Sequence, residues 1–173
     1  LDTFELMKTL LNIFLIILFL GYSKNEEMIS LKCMVEITDY RGEGAYFSIS
    51  IIDDKDQYLK TVYVLGTDKT WFSEMKSFWK HLKINDLYLD DEFYPLIEGI
   101  SGPTISGGET RILQLKIPKL LYNKTNRLRF ETAVEDKGYY TNDINVELNN
   151  ESLSKSYQGN GFIRNNKFVL PLK

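Results

Sequence analysis

Alternation of apolar and polar residues runs through most of this chain. Leu31, Cys33, Val35 and Ile37 interleave with Lys32, Met34, Glu36 and Thr38, and a period of two places alternate side chains on one face of a strand. The turn residues Arg41, Gly42, Glu43 and Gly44 close this strand. Ala45, Phe47, Ile49 and Ile51 repeat the rhythm until the acidic turn Asp53, Asp54, Lys55 and Asp56, and a third strand covers about 58–65. These three strands are expected to form a meander. Further strands are expected at about 111–117, 128–135, 141–148 and 167–172, with a polar loop or edge over 149–160.

Between the two groups of strands the period changes. Trp71, Met75, Phe78 and Leu82 recur at steps of three and four, with Phe72 and Trp79 flanking them and Asp68 or Thr70 as the N-cap. This predicts one amphipathic helix. Trp71 and Trp79 suit a plug that closes one end of a sandwich; the alternative is a stacking surface for a partner. Residues 84–109 have little periodicity, hold Pro95 and Pro103, and run into the glycine-rich stretch 99–108. A loop of this length inside a domain is usually functional when ordered.

Short strands with one helix, and no strand–helix alternation, predict a mostly β fold: an immunoglobulin-like antiparallel β-sandwich with an inserted helix and a long loop. The first residues add an address. Lys8 precedes an apolar run from Leu10 to Leu20, and Gly21 and Ser23 follow it. That order is the one a secretory signal peptide has, and the run is short for a membrane span. Residues 1–23 are therefore expected to be cleaved, with 1–6 upstream of a start at Met7, and 24–173 to form a single periplasmic or extracellular domain. Tyr22, not a cysteine, stands just after the apolar run, so no lipid anchor is expected.

Composition removes several chemistries. The charge is nearly balanced, 21 basic against 24 acidic residues, which gives no electrostatic reason for a nucleic-acid partner. His81 is the only histidine and Cys33 the only cysteine, so a catalytic triad has one possible base and a zinc site has no framework. Cys33 reads as a small core hydrophobe. Two acidic clusters, at Asp53, Asp54 and Asp56 and at Asp90, Asp91 and Glu92, lack calcium-loop spacing. Tyr139 and Tyr140, after Gly138, are candidates for a small exposed aromatic site. No metal site and no hydrolytic activity are expected.

The order of features is more telling than any one of them. A tryptophan-bearing helix, a long acidic loop, Ser101-Gly102-Pro103-Thr104, a strand, then Glu131-Thr-Ala-Val-Glu135 with Lys137-Gly138 resembles the predicted periplasmic proteins of the domain of unknown function 2271 family, over roughly 30–149. The resemblance implies kinship with the immunoglobulin-like domain of a flagellar hook-capping protein. It also implies company with PepSY-domain membrane proteins, TonB-dependent receptors and flavin transferases, hence an accessory role in iron uptake or extracytoplasmic electron transfer beside a membrane redox or receptor protein. The same loop resembles the acceptor motif for covalent FMN, with Glu98 in the acidic position, Ser101 and Gly102 matching, Pro103 in place of alanine, and Thr104 as the hydroxyl a flavin transferase would modify. The competing reading is a turn before the next strand. The expectation is an exported, non-hydrolytic binding or accessory protein. Its alternative is a cofactor-free module for protein, carbohydrate or peptide binding.

Overall fold

Inward alternation in two sheets builds the molecule. The computed structural model describes residues 26–66, 75–84 and 100–170, the side chains of 79 and 82–84 excepted. Its elements in chain order are β1 (Met28–Ile37), β2 (Tyr46–Ile52), β3 (Tyr58–Leu65), α1 (Lys76–Ile84), β4 (Ser101–Gly102), β5 (Thr110–Pro118), β6 (Arg127–Val134), β7 (Gly138–Glu147), α2 (Asn150–Leu153), β8 (Ser156–Tyr157) and β9 (Ile163–Val169). One sheet has the order β5-β1-β9-β8 and the other β4-β3-β2-β6-β7. The fold is mostly β, a sandwich of these two layers. Among the described residues all strand pairings are antiparallel except the two-residue contact of β3 with β4.

The core lies between the layers. Leu31, Cys33, Val35 and Ile37 of β1 and Leu113, Leu115 and Ile117 of β5 face Phe47, Ile49 and Ile51 of β2, Leu128 and Phe130 of β6, and Ile144 and Val146 of β7. Phe130 meets Phe47 in its own sheet and Phe168 across the layers, both edge-on at 5.7 and 6.1 Å between ring centres. That geometry suits the ring quadrupoles.

The expected meander is corrected at its first strand. The β2–β3 hairpin forms, but β1 lies in the opposite sheet between β5 and β9. Alternation fixes which face of a strand is buried and leaves its partner open. The strand order also differs from that of an immunoglobulin constant domain, where the third strand sits apart from the second; here β3 pairs with β2. The last long strand starts at Ile163, ahead of the expected 167. The polar stretch 149–160 holds α2, whose first turn is capped by Asn149 Oδ1 accepting from Ser152 N–H at 2.9 Å, and the short edge strand β8.

Candidate binding face beneath helix α1

Four polar side chains occupy the outer face of the five-stranded sheet. Residues 46, 48 and 50 of β2 point away from the core, and in β6 the outward set is 129, 131 and 133. The register sets Ser48 opposite Glu131 and Ser50 opposite Arg129. Such positions ordinarily face water, yet Ser48, Ser50 and Glu131 are 0 % exposed and Arg129 is 6 % exposed.

Helix α1 lies over this face. Met75, just ahead of it, and Phe78 pack with Tyr46, Val64 and Ala133, and with half-buried Tyr58, Ile100 and Tyr139. The His81 ring stacks on Tyr58 at 5.7 Å, nearly parallel. The Tyr139 hydroxyl joins helix to sheet, accepting from the Phe78 N–H at 3.2 Å and donating to Glu131 Oε2. An amide near the start of the helix is thereby bonded to a strand residue.

The patch is incompletely paired. Arg129 Nη2 approaches Glu131 Oε1 to 3.0 Å, out of line for a hydrogen bond. Arg129 Nε and Nη2, Glu131 Oε1, Ser48 Oγ and Ser50 Oγ all lack a hydrogen-bond partner. Burial pushes the Glu131 carboxyl above its ordinary value, against the pull of Tyr139 and Arg129. It raises the Tyr139 hydroxyl too, helped by the neighbouring Glu131. Tyr58 is raised mainly by burial, and His81 is lowered by burial and then by the charges of Arg129 and Lys80. The assembly holds one guanidinium fork, one carboxylate and two hydroxyls between aromatic walls. It is equipped to hydrogen-bond a small polar molecule.

The residues singled out by sequence fall elsewhere or only partly here. Ser101 and Gly102 form β4 and extend the sheet beside β3. Thr104 is half-buried between that contact and the Ala45–Ile105 bridge. A side-chain carbon on Gly44 would sit 2.5 Å from Thr104 Oγ1, and one on Gly66, whose φ is 84°, would crowd Tyr46 and the Thr104 methyl. Two glycines thus let Thr104 tuck against the sheet. The hydroxyl lies beside Gly44, and the residue as a whole keeps part of its surface exposed. Glu98, Trp71, the cluster 90–92 and the leader 1–23 lie outside the described residues. Trp79 lies in α1, with its side chain outside them. Tyr139 and Tyr140 do not form one aromatic site, because successive strand residues point to opposite faces. Tyr139 joins the patch under α1, while Tyr140 packs edge-on against Phe162 at 5.4 Å. Asp53 closes its own turn, accepting from Lys55 and Gln57 N–H, and Asp56 pairs with Arg127. Among the described residues no three His, Cys, Asp or Glu side chains converge as metal ligands.

Sequence reasoning missed Ser48, Ser50, Arg129 and Glu131. Their alternation reads as a solvated face, and the available signal was the charged pair two residues apart on a strand whose neighbours are serines. No curated protein and no solved structure matches the chain. No described helix is long and apolar enough to cross a membrane. The model of the predicted periplasmic protein family DUF2271 matches residues 28–165, which takes in every strand of both layers but the end of β9, and the chain belongs to that family.

Proposed function

We propose that the protein is an exported, non-hydrolytic binding module that takes a small polar ligand on the sheet face beneath α1. The observation that carries this reading is the set of unpaired hydrogen-bonding atoms on Ser48, Ser50, Arg129 and Glu131, clustered on facing positions of two adjacent strands. A buried group left unpaired costs about 1–3 kcal/mol, so several in one patch oppose folding. Convergent polar groups among aromatic side chains are the usual furniture of a ligand site. Stability conceded for function is concentrated at such sites.

Export is supported by the family's description as periplasmic and by the charged-then-apolar order of residues 8–20. The setting we propose is service to a membrane receptor or redox protein, as the family resemblance suggests. Covalent flavin at Thr104 is carried by the loop's sequence alone, with no orphaned polar group beside it among the described residues comparable to those under α1. Co-production with a flavin transferase is expected to leave the denatured polypeptide without flavin fluorescence; a fluorescent band lost in Thr104→Ala reverses that.

The binding reading is tested by thermal shift with sugars, amino acids, simple carboxylates and inorganic phosphate. At least one class is expected to raise the Tm of the parent chain and leave the Ser48→Ala/Ser50→Ala double variant unmoved. If every class leaves the parent unmoved, the reading fails.

A further inference from the structure

The unpaired atoms also indicate what kind of molecule fits. Nε–H and Nη2–H lie on the same edge of a guanidinium and point in parallel, and in Arg129 both lack a hydrogen-bond partner, although Nη2 is ion-paired with Glu131 Oε1 at 3.0 Å. Ser50 stands directly across from Arg129, and Ser48 from Glu131. Building on the reading of this face as the binding site, we infer that its ligand is a carboxylate, held by the Nε–Nη2 edge of Arg129 and by the Ser50 hydroxyl.

The chemistry favours this class over its competitors. A planar carboxylate presents two coplanar oxygens at the spacing of the guanidinium edge, and the resulting bonds are charge-assisted and about twice as strong as neutral ones. A sugar hydroxyl pair forgoes that charge assistance. A phosphate dianion brings two charges to a single guanidinium that already has Glu131 beside it at 3.0 Å.

Glu131 gives the site a second property. Its Oε2 accepts from Tyr139, and its Oε1 faces Arg129. A ligand carboxylate on Arg129 puts two carboxyl groups into one buried space, where they cannot both stay ionised. Glu131 therefore takes up one proton as the anion enters, and its Oε1–H becomes a donor to the ligand. The other titratable and charged groups facing it among the described residues are Arg129 beside it on β6, Tyr58 on β3, Tyr139 on β7 and His81 on α1, with the charge of Lys80 acting on His81; β2 contributes Tyr46 beside its two serines. Tyr58 and Tyr139 are raised and stay neutral, His81 is lowered and Glu131 is raised, and of these groups Glu131 is the acid that lies against Arg129. The proton balance is one taken from solvent for each carboxylate bound. Affinity then strengthens by about tenfold for each unit of falling pH across the linked window.

Titration calorimetry on the full mature chain tests this. The probes are acetate, acetyl-trialanine with a free C-terminus, the same peptide amidated, glucose and inorganic phosphate, each at pH values between about 5 and 7. Acetate binding marks a free small acid as the source, and binding of the free-ended peptide alone marks a peptide C-terminus; either supports the inference, provided the amidated peptide does not bind. Ser50→Ala is expected to weaken binding by about tenfold or more. Glu131→Gln is expected to keep binding and flatten its pH dependence, an outcome a purely structural role does not produce. Arg129→Lys, which retains charge but loses the fork, guards against a misfolded Arg129→Gln. Binding of glucose or phosphate with no binding of either free carboxylate overturns the carboxylate assignment and leaves the binding face standing. Carboxylate affinity indifferent to pH overturns the proton coupling. No binding by any probe overturns both.

Discussion

Ser48 and Ser50 carry hydroxyls that the sheet encloses and does not bond. Removing an orphaned buried hydroxyl removes its desolvation cost, so Ser48→Ala and Ser50→Ala are each expected to stabilise the fold by about 1 kcal/mol, read as a higher urea midpoint at unchanged slope. Loss of stability in both shows that the hydroxyls serve the fold, and undercuts their assignment to a ligand. Cys33 is the contrasting case. Its side chain is fully enclosed, it accepts from Asn166 Nδ2 at 3.0 Å, and burial pushes its thiol up to about 12. Since the thiolate is the reactive form, iodoacetamide at about pH 8 is expected to leave the native protein unmodified and to label it once in urea. The inward position of Cys33 was legible, because a single residue in an alternating strand has its face fixed by its neighbours. The burial of Ser48 and Ser50 was not, because it depends on a helix remote in sequence.

Helix α1 is held to its sheet at a few points, and they differ in kind. Met75 and Phe78 supply apolar contact, while Tyr139 bonds the Phe78 amide and the Glu131 carboxylate together. Tyr139→Phe keeps the ring and deletes both bonds. Amide exchange in Lys76–Ile84 is expected to quicken roughly tenfold, matching a loss of about 1.4 kcal/mol, with the central strands unchanged; equal acceleration throughout the chain would show that Tyr139 supports the sandwich rather than the helix. The helix makes stability depend on pH through Glu131. Burial raises its folded-state value, so the native protein holds this proton more tightly than the unfolded chain does. The associated stability is complete below the ordinary value of 4.5 and is lost as pH rises through the raised folded value. Glu131→Gln is expected to flatten that decline in urea denaturation. Arg129→Met leaves a buried carboxylate unpaired and is expected to cost about 3–5 kcal/mol near neutrality, with part regained in acid as Glu131 takes its proton. The existence of α1 was legible in the spacing of Met75 and Phe78. The face it covers was not, because Ser48, Ser50, Arg129 and Glu131 alternate as solvated residues do.

Across the whole molecule the two layers share a core, and the chain must cross between them. Period two specified the inward residues of β1 and β2, since each strand's own sequence states which face is apolar, and it located β5, β6 and β7 to within a few residues. It did not specify that β1 leaves β2 for the other sheet, nor that β9 begins at Ile163, because Asn165 and Asn166 interrupt the apolar rhythm. Asn166 is buried all the same, its amide bonded to Cys33 Sγ and to the Met34 carbonyl at 3.2 Å. One crossing is fastened by a single carboxylate. Asp143 sits on β7 in the five-stranded sheet, only 1 % exposed. Its Oδ1 accepts from Gly161 N–H at 2.8 Å, and its Oδ2 accepts from Phe162 N–H at 2.8 Å, Ile163 N–H at 3.1 Å and Thr132 Oγ1 at 2.5 Å. Three successive amides at the entrance to β9 in the opposite sheet thus converge on one side chain, and the Phe162 ring beside them packs between Tyr40 and Tyr140. Asp143→Ala strands those amides where water has little access, and hydrogen bonds to a charged group contribute about 1.5–3 kcal/mol each. The variant is expected to lose at least about 3 kcal/mol in urea denaturation. Asp143→Asn, which keeps an acceptor oxygen but replaces the other with a donor facing backbone N–H groups, is expected to recover only part of the loss. If Asp143→Ala unfolds at the parental midpoint, the closure between layers rests on the aromatic packing of Tyr40, Tyr140 and Phe162 instead.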